Sequence, residues 1–194
     1  MSEPTPWTTG RIVLLNGPPS VGKSALARAL QSILDDPYFH RSLDDFRQGY
    51  PARFWQSGDG TLFRRTLDGY LRTLRALAES GHNVIAEAVV TPERLEDYLS
   101  LFAELPVLFV GVRCPLAEAQ RRERARRDRA RGPIELEASA FERVHAHGIY
   151  DVEVDTSLST PEEAARQIET VLASPPTPTA FERLRESTTR RCDG

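Results

Sequence analysis

The sequence predicts an α/β protein, a three-layer αβα sandwich in which five parallel strands are covered by helices on both faces. Three observations predict it. Apolar runs too short for helices alternate along the chain with segments of helical periodicity, the pattern of strand–helix units building a parallel sheet. The first apolar run leads into Gly17-Pro18-Pro19-Ser20-Val21-Gly22-Lys23-Ser24, a complete G-x-x-x-x-G-K-[ST] phosphate-binding loop. Among 25 Lys plus Arg, Lys23 is the only lysine, and it stands at the invariant lysine position of that loop. An arginine-rich codon bias accounts for the 24 arginines but not for where the one lysine sits. An ammonium is a compact point charge that fits between phosphates, whereas a guanidinium is a broad planar fork.

Taken in order, residues 11–16 carry the short apolar run Ile12-Val13-Leu14-Leu15, as in a strand buried on both faces. Gly17 and Gly22 allow backbone angles closed to other residues, so that successive amides turn inward toward phosphate oxygens. Pro18 and Pro19 lack N–H groups but precede Ser20, Val21, Gly22, Lys23 and Ser24, which supply most donors. The Ser24 hydroxyl is the expected magnesium ligand. A helix follows over 23–34, with Ala25, Leu26, Ala29, Leu30 and Ile33 at helical spacing, and its N-terminus adds partial positive charge to the loop.

Further strands are expected near 38–43, 83–88, 107–112 and 151–155, and further helices near 61–80, 92–104, 115–130 and 136–146. In the long helix Phe63, Leu67, Leu71, Leu74 and Leu77 form an apolar stripe, and Gly81 closes it. Thr91-Pro92 and Thr160-Pro161 are cap-plus-first-turn signals. Residues 1–9 are expected to be a flexible N-terminus and 10–173 one domain. Ser174-Pro175-Pro176-Thr177-Pro178-Thr179 then reads as a linker, and 174–194 as a linker and mobile tail.

Composition narrows the function. At 194 residues and 21.7 kDa the chain can bury a sizeable core. A net charge of −3 argues against a general nucleic-acid binder. With no apolar run of membrane-spanning length and a polar, proline-bearing start, the chain reads as cytoplasmic. Cys114 and Cys192 make no disulfide framework, and neither has the His/Cys neighbours of a zinc site.

Seven arginines fall between 121 and 131: Arg121, Arg122, Arg124, Arg126, Arg127, Arg129 and Arg131. As a solvated helix face they would be partly neutralised by Glu123 and Asp128. No aromatics are interleaved for nucleic-acid stacking. A third reading is a lid over about 118–134 that closes on a transferring phosphate, with two or three guanidinium groups turned inward.

On the acceptor side the second strand ends in Ser42-Leu43-Asp44-Asp45, and the carboxyl end of a parallel strand faces the ligand crevice. Asp44 is the candidate base for an acceptor hydroxyl, with Asp45 as helix cap. Glu87, at the end of the third strand, could hold magnesium through water, contact the acceptor, or cap a helix. Phe46, Tyr50, Phe54 and Trp55 offer a wall suited to an apolar or aromatic small molecule.

These features together resemble the chloramphenicol phosphotransferase family of P-loop kinases. The resemblance spans roughly residues 10–172. It is closest at Val110-Gly111-Val112-Arg113-Cys114, then Glu123 through Gly132, Val144-His145, and Tyr150-Asp151-Val152-Glu153-Val154-Asp155-Thr156. It implies a P-loop kinase-like fold with an arginine-rich lid, and transfer of the ATP γ-phosphate to a small-molecule hydroxyl, in the family's named case an antibiotic. By that resemblance Asp44 is the catalytic base, Arg126 and Arg129 are lid arginines, Lys23 and Ser24 hold phosphate and magnesium, and Asp155, Thr156 and Ser157 line the adenine pocket. Two departures lie on the acceptor side. Glu87-Ala88 stands where the antibiotic kinase has two consecutive acidic residues, and the stretch from Asp44 to the long helix is shorter. A nucleoside, nucleotide-sugar or toxin-type kinase shares the same ATP-side residues. A nucleotide-dependent switch would have no dedicated acceptor.

Overall fold

In a computed structural model, the structure describes residues 8–51, 53–54, 60–125 and 137–192. Strand β1 (Ile12–Asn16) is buried at every position, as its unbroken apolar run requires. It lies at the centre of a five-stranded sheet with β2 (Tyr38–Arg41), β3 (Asn83–Ala88), β4 (Val107–Arg113) and β5 (Val152–Asp155), in the order β2-β3-β1-β4-β5. Each neighbouring pair is parallel. Because β1 sits between β3 and β4, the strand order reverses there. The carboxyl ends of β1, β3 and β4 therefore open a crevice at the topological switch point.

The period-two alternation of β1 divides the core. Val13 and Leu15 pack with α1 (Lys23–Ile33) and α7 (Pro161–Ala173). Ile12 and Leu14 pack with α3 (Gly60–Glu79), α4 (Pro92–Leu101) and α8 (Ala180–Cys192). The stripe read from the sequence buries Leu67, Leu71 and Leu74 of α3, whereas Phe63, one turn further out, is exposed. Two short helices flank the crevice: α2 (Leu43–Gln48) after β2 and α6 (Ala138–Arg143) before β5. Helix α5 (Leu116–Ala125) follows β4 and carries the first part of the arginine-dense segment. Residues 126–136, and with them most of the expected lid, lie outside the described residues, as do residues 1–7 of the expected flexible N-terminus.

The mobile tail is not what forms. Residues 180–192 make a helix docked on the sheet, with Ala180, Phe181 and Leu184 buried in the core. Thr179 and Glu182 form a reciprocal N-terminal box: the Thr179 amide donates to Glu182 Oε2 at 2.6 Å, and the Glu182 amide donates to Thr179 Oγ1 at 3.3 Å. Asp151 then ties the helix to the sheet, accepting from the Ala180 amide at 2.6 Å and the Phe109 amide at 2.7 Å. Ser174 to Pro178 still connects, but to a packed element. Among the described residues, no helix is long and apolar enough to cross a membrane.

Candidate active site

The loop between β1 and α1 is shaped by backbone conformations that few residues tolerate. Gly22 has φ 99°, and a Cβ on Gly17 would come within 2.4 Å of the Val112 carbonyl oxygen. Ser20 also lies in the left-handed region, at φ 62°. Its hydroxyl donates to Glu123 of α5, a carboxylate almost wholly buried. The sequence suggests Glu123 as a partner for the arginine run, yet the fold presses it against the phosphate loop. Lys23 opens α1, and its ammonium donates to the Gly17 carbonyl at 2.7 Å and the Pro18 carbonyl at 2.8 Å. The single lysine therefore lies across the loop it belongs to, with little solvent around it.

Behind the loop, Arg122 joins three elements. Its guanidinium donates to the Val21 carbonyl at 3.2 Å, to Thr156 Oγ1 at 2.9 Å and to the Thr156 carbonyl at 2.8 Å, and it pairs with Glu118 at 2.7 Å. Thr156 Oγ1 in turn donates to the Val21 carbonyl at 2.6 Å. Hydrogen bonds from Arg121 and then Arg122 hold the Glu118 carboxyl down at about 2. Of the arginines in α5, Arg122 turns inward, while Arg121 and Arg124 are exposed. Asp155 closes a turn by accepting from the Ser157 amide at 2.8 Å and the Ser157 hydroxyl at 2.6 Å. It also lines a cavity of ≈ 500 Å³ with Arg113, Cys114, Phe141 and His145.

Asn16, the last residue of β1, anchors the entry to the loop. Its Oδ1 accepts from the Val90 amide at 2.8 Å, which fixes the amide orientation, and its Nδ2 donates to the Val144 carbonyl at 3.1 Å and to the Tyr150 hydroxyl at 2.7 Å. The Tyr150 hydroxyl proton is then directed to His145 Nδ1 at 2.7 Å, leaving that imidazole neutral. Burial, aided by the Arg113 charge, pushes His145 down to about 4. Burial also takes His147, stacked on Phe109, to about 4.

Both folded-state values lie below the ordinary 6.5, so the unfolded chain binds more protons as the pH falls. The stability these neutral rings contribute is complete above pH 6.5 and is lost on the way down toward pH 4. Between pH 7 and pH 5, urea denaturation should show a loss of roughly 2–3 kcal/mol, discounted for partial solvent access. An unchanged midpoint over that range would mean the two rings are not held neutral.

The acceptor side is built at the ends of β2 and β3. Parallel register pairs His40 with Ile85, and alternation places Glu87 two residues on, on the same face as Ile85, which packs toward α1. Glu87 Oε2 accepts from the Ser24 hydroxyl at 3.1 Å, and Oε1 accepts from His40 Nε2 at 2.8 Å. Burial works to raise the Glu87 carboxyl, but the His40 bond, the Lys23 charge and the Ser24 hydroxyl outweigh it and hold it below its ordinary value. Glu87 is thus neither isolated nor a helix cap. It links the phosphate loop to β2.

Ser42 and Asp45 form a complete capping box at the start of α2, so Asp45 takes the capping role. Asp44, in the same first turn, has a side chain 55% exposed and pairs with Arg47 at 3.1 Å. Phe46 packs edge-on against Tyr70 at 5.4 Å, in the margin of the core. Tyr50 and Phe54 are exposed at 43% and 45%. Trp55, Arg126 and Arg129 lie outside the described residues.

The donor set fits a magnesium–nucleotide. The Val112 carbonyl lies too close to Gly17 for a side chain there, the ammonium lies across the loop, and a hydroxyl that donates to Glu87 keeps lone pairs for a cation. His40, Arg122 and the Asn16 network were not singled out by sequence reasoning. Arg122 carried a signal as a member of a segment from which some guanidinium groups were expected to turn inward, and Val144, His145 and Tyr150 as members of stretches where the family resemblance is closest.

Comparison with known proteins agrees with this geometry. Residues 10–173 match the family described as chloramphenicol phosphotransferase-like protein. Two Mycobacterium tuberculosis proteins named "Putative O-phosphotransferase" (MT2714 of strain CDC 1551 and Rv2636 of strain H37Rv) are each 33% identical over 202 residues, covering 91% of this chain and 88% of their own length. The Mycobacterium tuberculosis APS kinase CysC, solved with AMPPNP and APS, superposes with a TM-score of 0.63 at 17% identity, covering 86% of this chain and 99% of that one. The Acinetobacter baumannii shikimate kinase, solved with shikimate, gives 0.61 at 15% identity over 86% of this chain and 94% of that one. At such identities the solved structures establish the α/β P-loop kinase-like fold with its five-stranded parallel sheet. The match over most of the chain does more: this protein belongs to the chloramphenicol phosphotransferase-like family of P-loop phosphotransferases.

Proposed function

We propose that the protein uses ATP and magnesium to phosphorylate a hydroxyl of a small molecule with an apolar or aromatic body. The observation that carries this reading is the Lys23–Ser24–Glu87 arrangement, in which a complete phosphate loop meets the strand ends that face an acceptor. Loop amides and Lys23 would bind and orient the phosphates, the role that dominates phosphoryl transfer. Ser24, with Glu87 behind it, would hold magnesium, which supplies charge neutralisation on the phosphate oxygens when bound. Asp44 would accept the acceptor's proton. Its ion pair with Arg47 is exposed and therefore weak, so the carboxylate can turn to a hydroxyl. Exposed Tyr50 and Phe54 supply the apolar wall, and Asp155, Thr156 and Ser157 stand at the nucleobase end. Arg126 and Arg129 are the arginines proposed to neutralise charge during transfer, as part of a lid.

The test is incubation with Mg-ATP and a panel of hydroxyl-bearing antibiotics and nucleosides, with products read by mass for the gain of one phosphoryl group. A phosphorylated product establishes the reaction and the acceptor chemistry together. ATP hydrolysis indifferent to every acceptor would favour a nucleotide-dependent switch. Asp44→Asn should leave ATP affinity unchanged and lower turnover by about 10²-fold or more. If ATP binding collapsed instead, Asp44 would be serving the metal or the fold.

A further inference from the structure

We propose that His40 is a positioning residue that sets the carboxylate of Glu87, and through it the metal-facing hydroxyl of Ser24. The inference rests on the phosphotransferase reading for its purpose but not for its test.

The geometry is a relay of three side chains from two strands and a helix. A carboxylate only accepts, so His40 Nε2 must carry the proton of the 2.8 Å bond to Glu87 Oε1. The second oxygen, Oε2, accepts from Ser24 Oγ at 3.1 Å. A carboxylate held at one oxygen alone could rotate about its terminal torsion, which is soft. Held at both, it keeps the Ser24 proton directed toward itself and the hydroxyl lone pairs directed away. Such outer partners orient a ligand and raise its basicity, and their loss commonly costs tenfold or more in metal affinity.

The backbone is built to keep the relay in register. The buried Tyr70 hydroxyl lies 3.0 Å from the Arg41 carbonyl and 2.9 Å from the Glu87 carbonyl, bridging β2 and β3 one residue beyond His40 and at Glu87 itself. Both side chains in the relay are largely shielded, His40 being 20% exposed and Glu87 12%. The bond is therefore not the weak exposed kind.

The measurement is the gain in ATP affinity that magnesium confers, obtained by calorimetric titration in EDTA and in saturating Mg²⁺. By linkage that gain reports the metal's affinity in the nucleotide complex without any turnover. His40→Ala should shrink the gain about tenfold while metal-free ATP affinity stays as in the unaltered protein. His40→Gln, whose amide can donate from a similar position, should recover it to within about threefold. If alanine prevents folding, His40→Gln against the non-donating His40→Leu carries the same contrast.

An unchanged gain in His40→Ala overturns the proposal, as does an equal loss of metal-free affinity, which would mark a merely structural role. Failure of glutamine to outperform leucine, or a natural protein that gains nothing from magnesium, overturns it as well. If no acceptor is phosphorylated yet the gain is lost in His40→Ala and kept in His40→Gln, the relay stands and the phosphotransferase reading is the part that fails.

Discussion

Lys23→Ala is expected to lower phosphoryl transfer by about 10³-fold, because positioning and charge neutralisation are the main catalytic contributions in this chemistry. The ammonium lies within the phosphate loop, 2.7 Å from the Gly17 carbonyl and 2.8 Å from that of Pro18, so removing it deletes the loop's positive side chain without touching a strand. Lys23→Arg is the sharper companion. Charge is conserved, but the planar fork is wider than the ammonium and the loop leaves little room, Lys23 being only 8% exposed. We expect arginine to recover less than a tenth of the lost rate, although arginine serves at every other basic position of the chain. Single-turnover measurement with an identified acceptor is the check. Near-normal rates for the alanine variant would remove the loop from the mechanism.

Phe181→Ala is expected to destabilise the protein by about 3–4 kcal/mol, read as a shift of the urea midpoint at constant slope. Phe181 is 2% exposed and meets the Phe109 ring edge-on at 5.1 Å. Phe109 belongs to β4 and also lies against Tyr150 and His147, so the cavity would open beside the Asn16–Tyr150 network. Removing residues 174–194 altogether should cost more, since Ala180 and Leu184 would also lose their places and Asp151 would lose the Ala180 amide it holds. A change below about 1 kcal/mol for the alanine variant would show that α8 unfolds independently of the sheet.

That helix was legible and was still missed. Thr179-Ala180-Phe181-Glu182 is the same S/T-x-x-E signature as Thr160-Pro161-Glu162-Glu163, which opens α7. It follows a proline-rich stretch and precedes a charged one, and its apolar stripe is narrow, so composition outweighed the cap. The opposite holds at β1 and α1. There a buried run, a loop motif and a helical repeat all point one way, and such agreement among local signals is what makes a segment readable.

The site divides in the same manner. The phosphate loop is contiguous, and its two glycines are demanded locally, Gly22 by its left-handed φ and Gly17 by the approach of the Val112 carbonyl, so sequence alone located Lys23 and Ser24 and pointed to the αβα class. Asp44 and Glu87 could be named as strand-end carboxylates because parallel strands present their carboxyl ends to the crevice. What each carboxylate touches was decided only in three dimensions. Asn16 meets Val144 and Tyr150, which are 128 and 134 residues further along the chain. Glu123 turned from a neutralising surface charge into a buried anchor for Ser20. His40, a single histidine at the end of a strand, carries no local pattern, and its meaning arises from the register that sets β2 against β3. Sequence determines elements through short-range periodicity and sterics. Which polar groups become partners depends on the packing of distant elements, and there the demand that every buried donor and acceptor be satisfied selects the pairs.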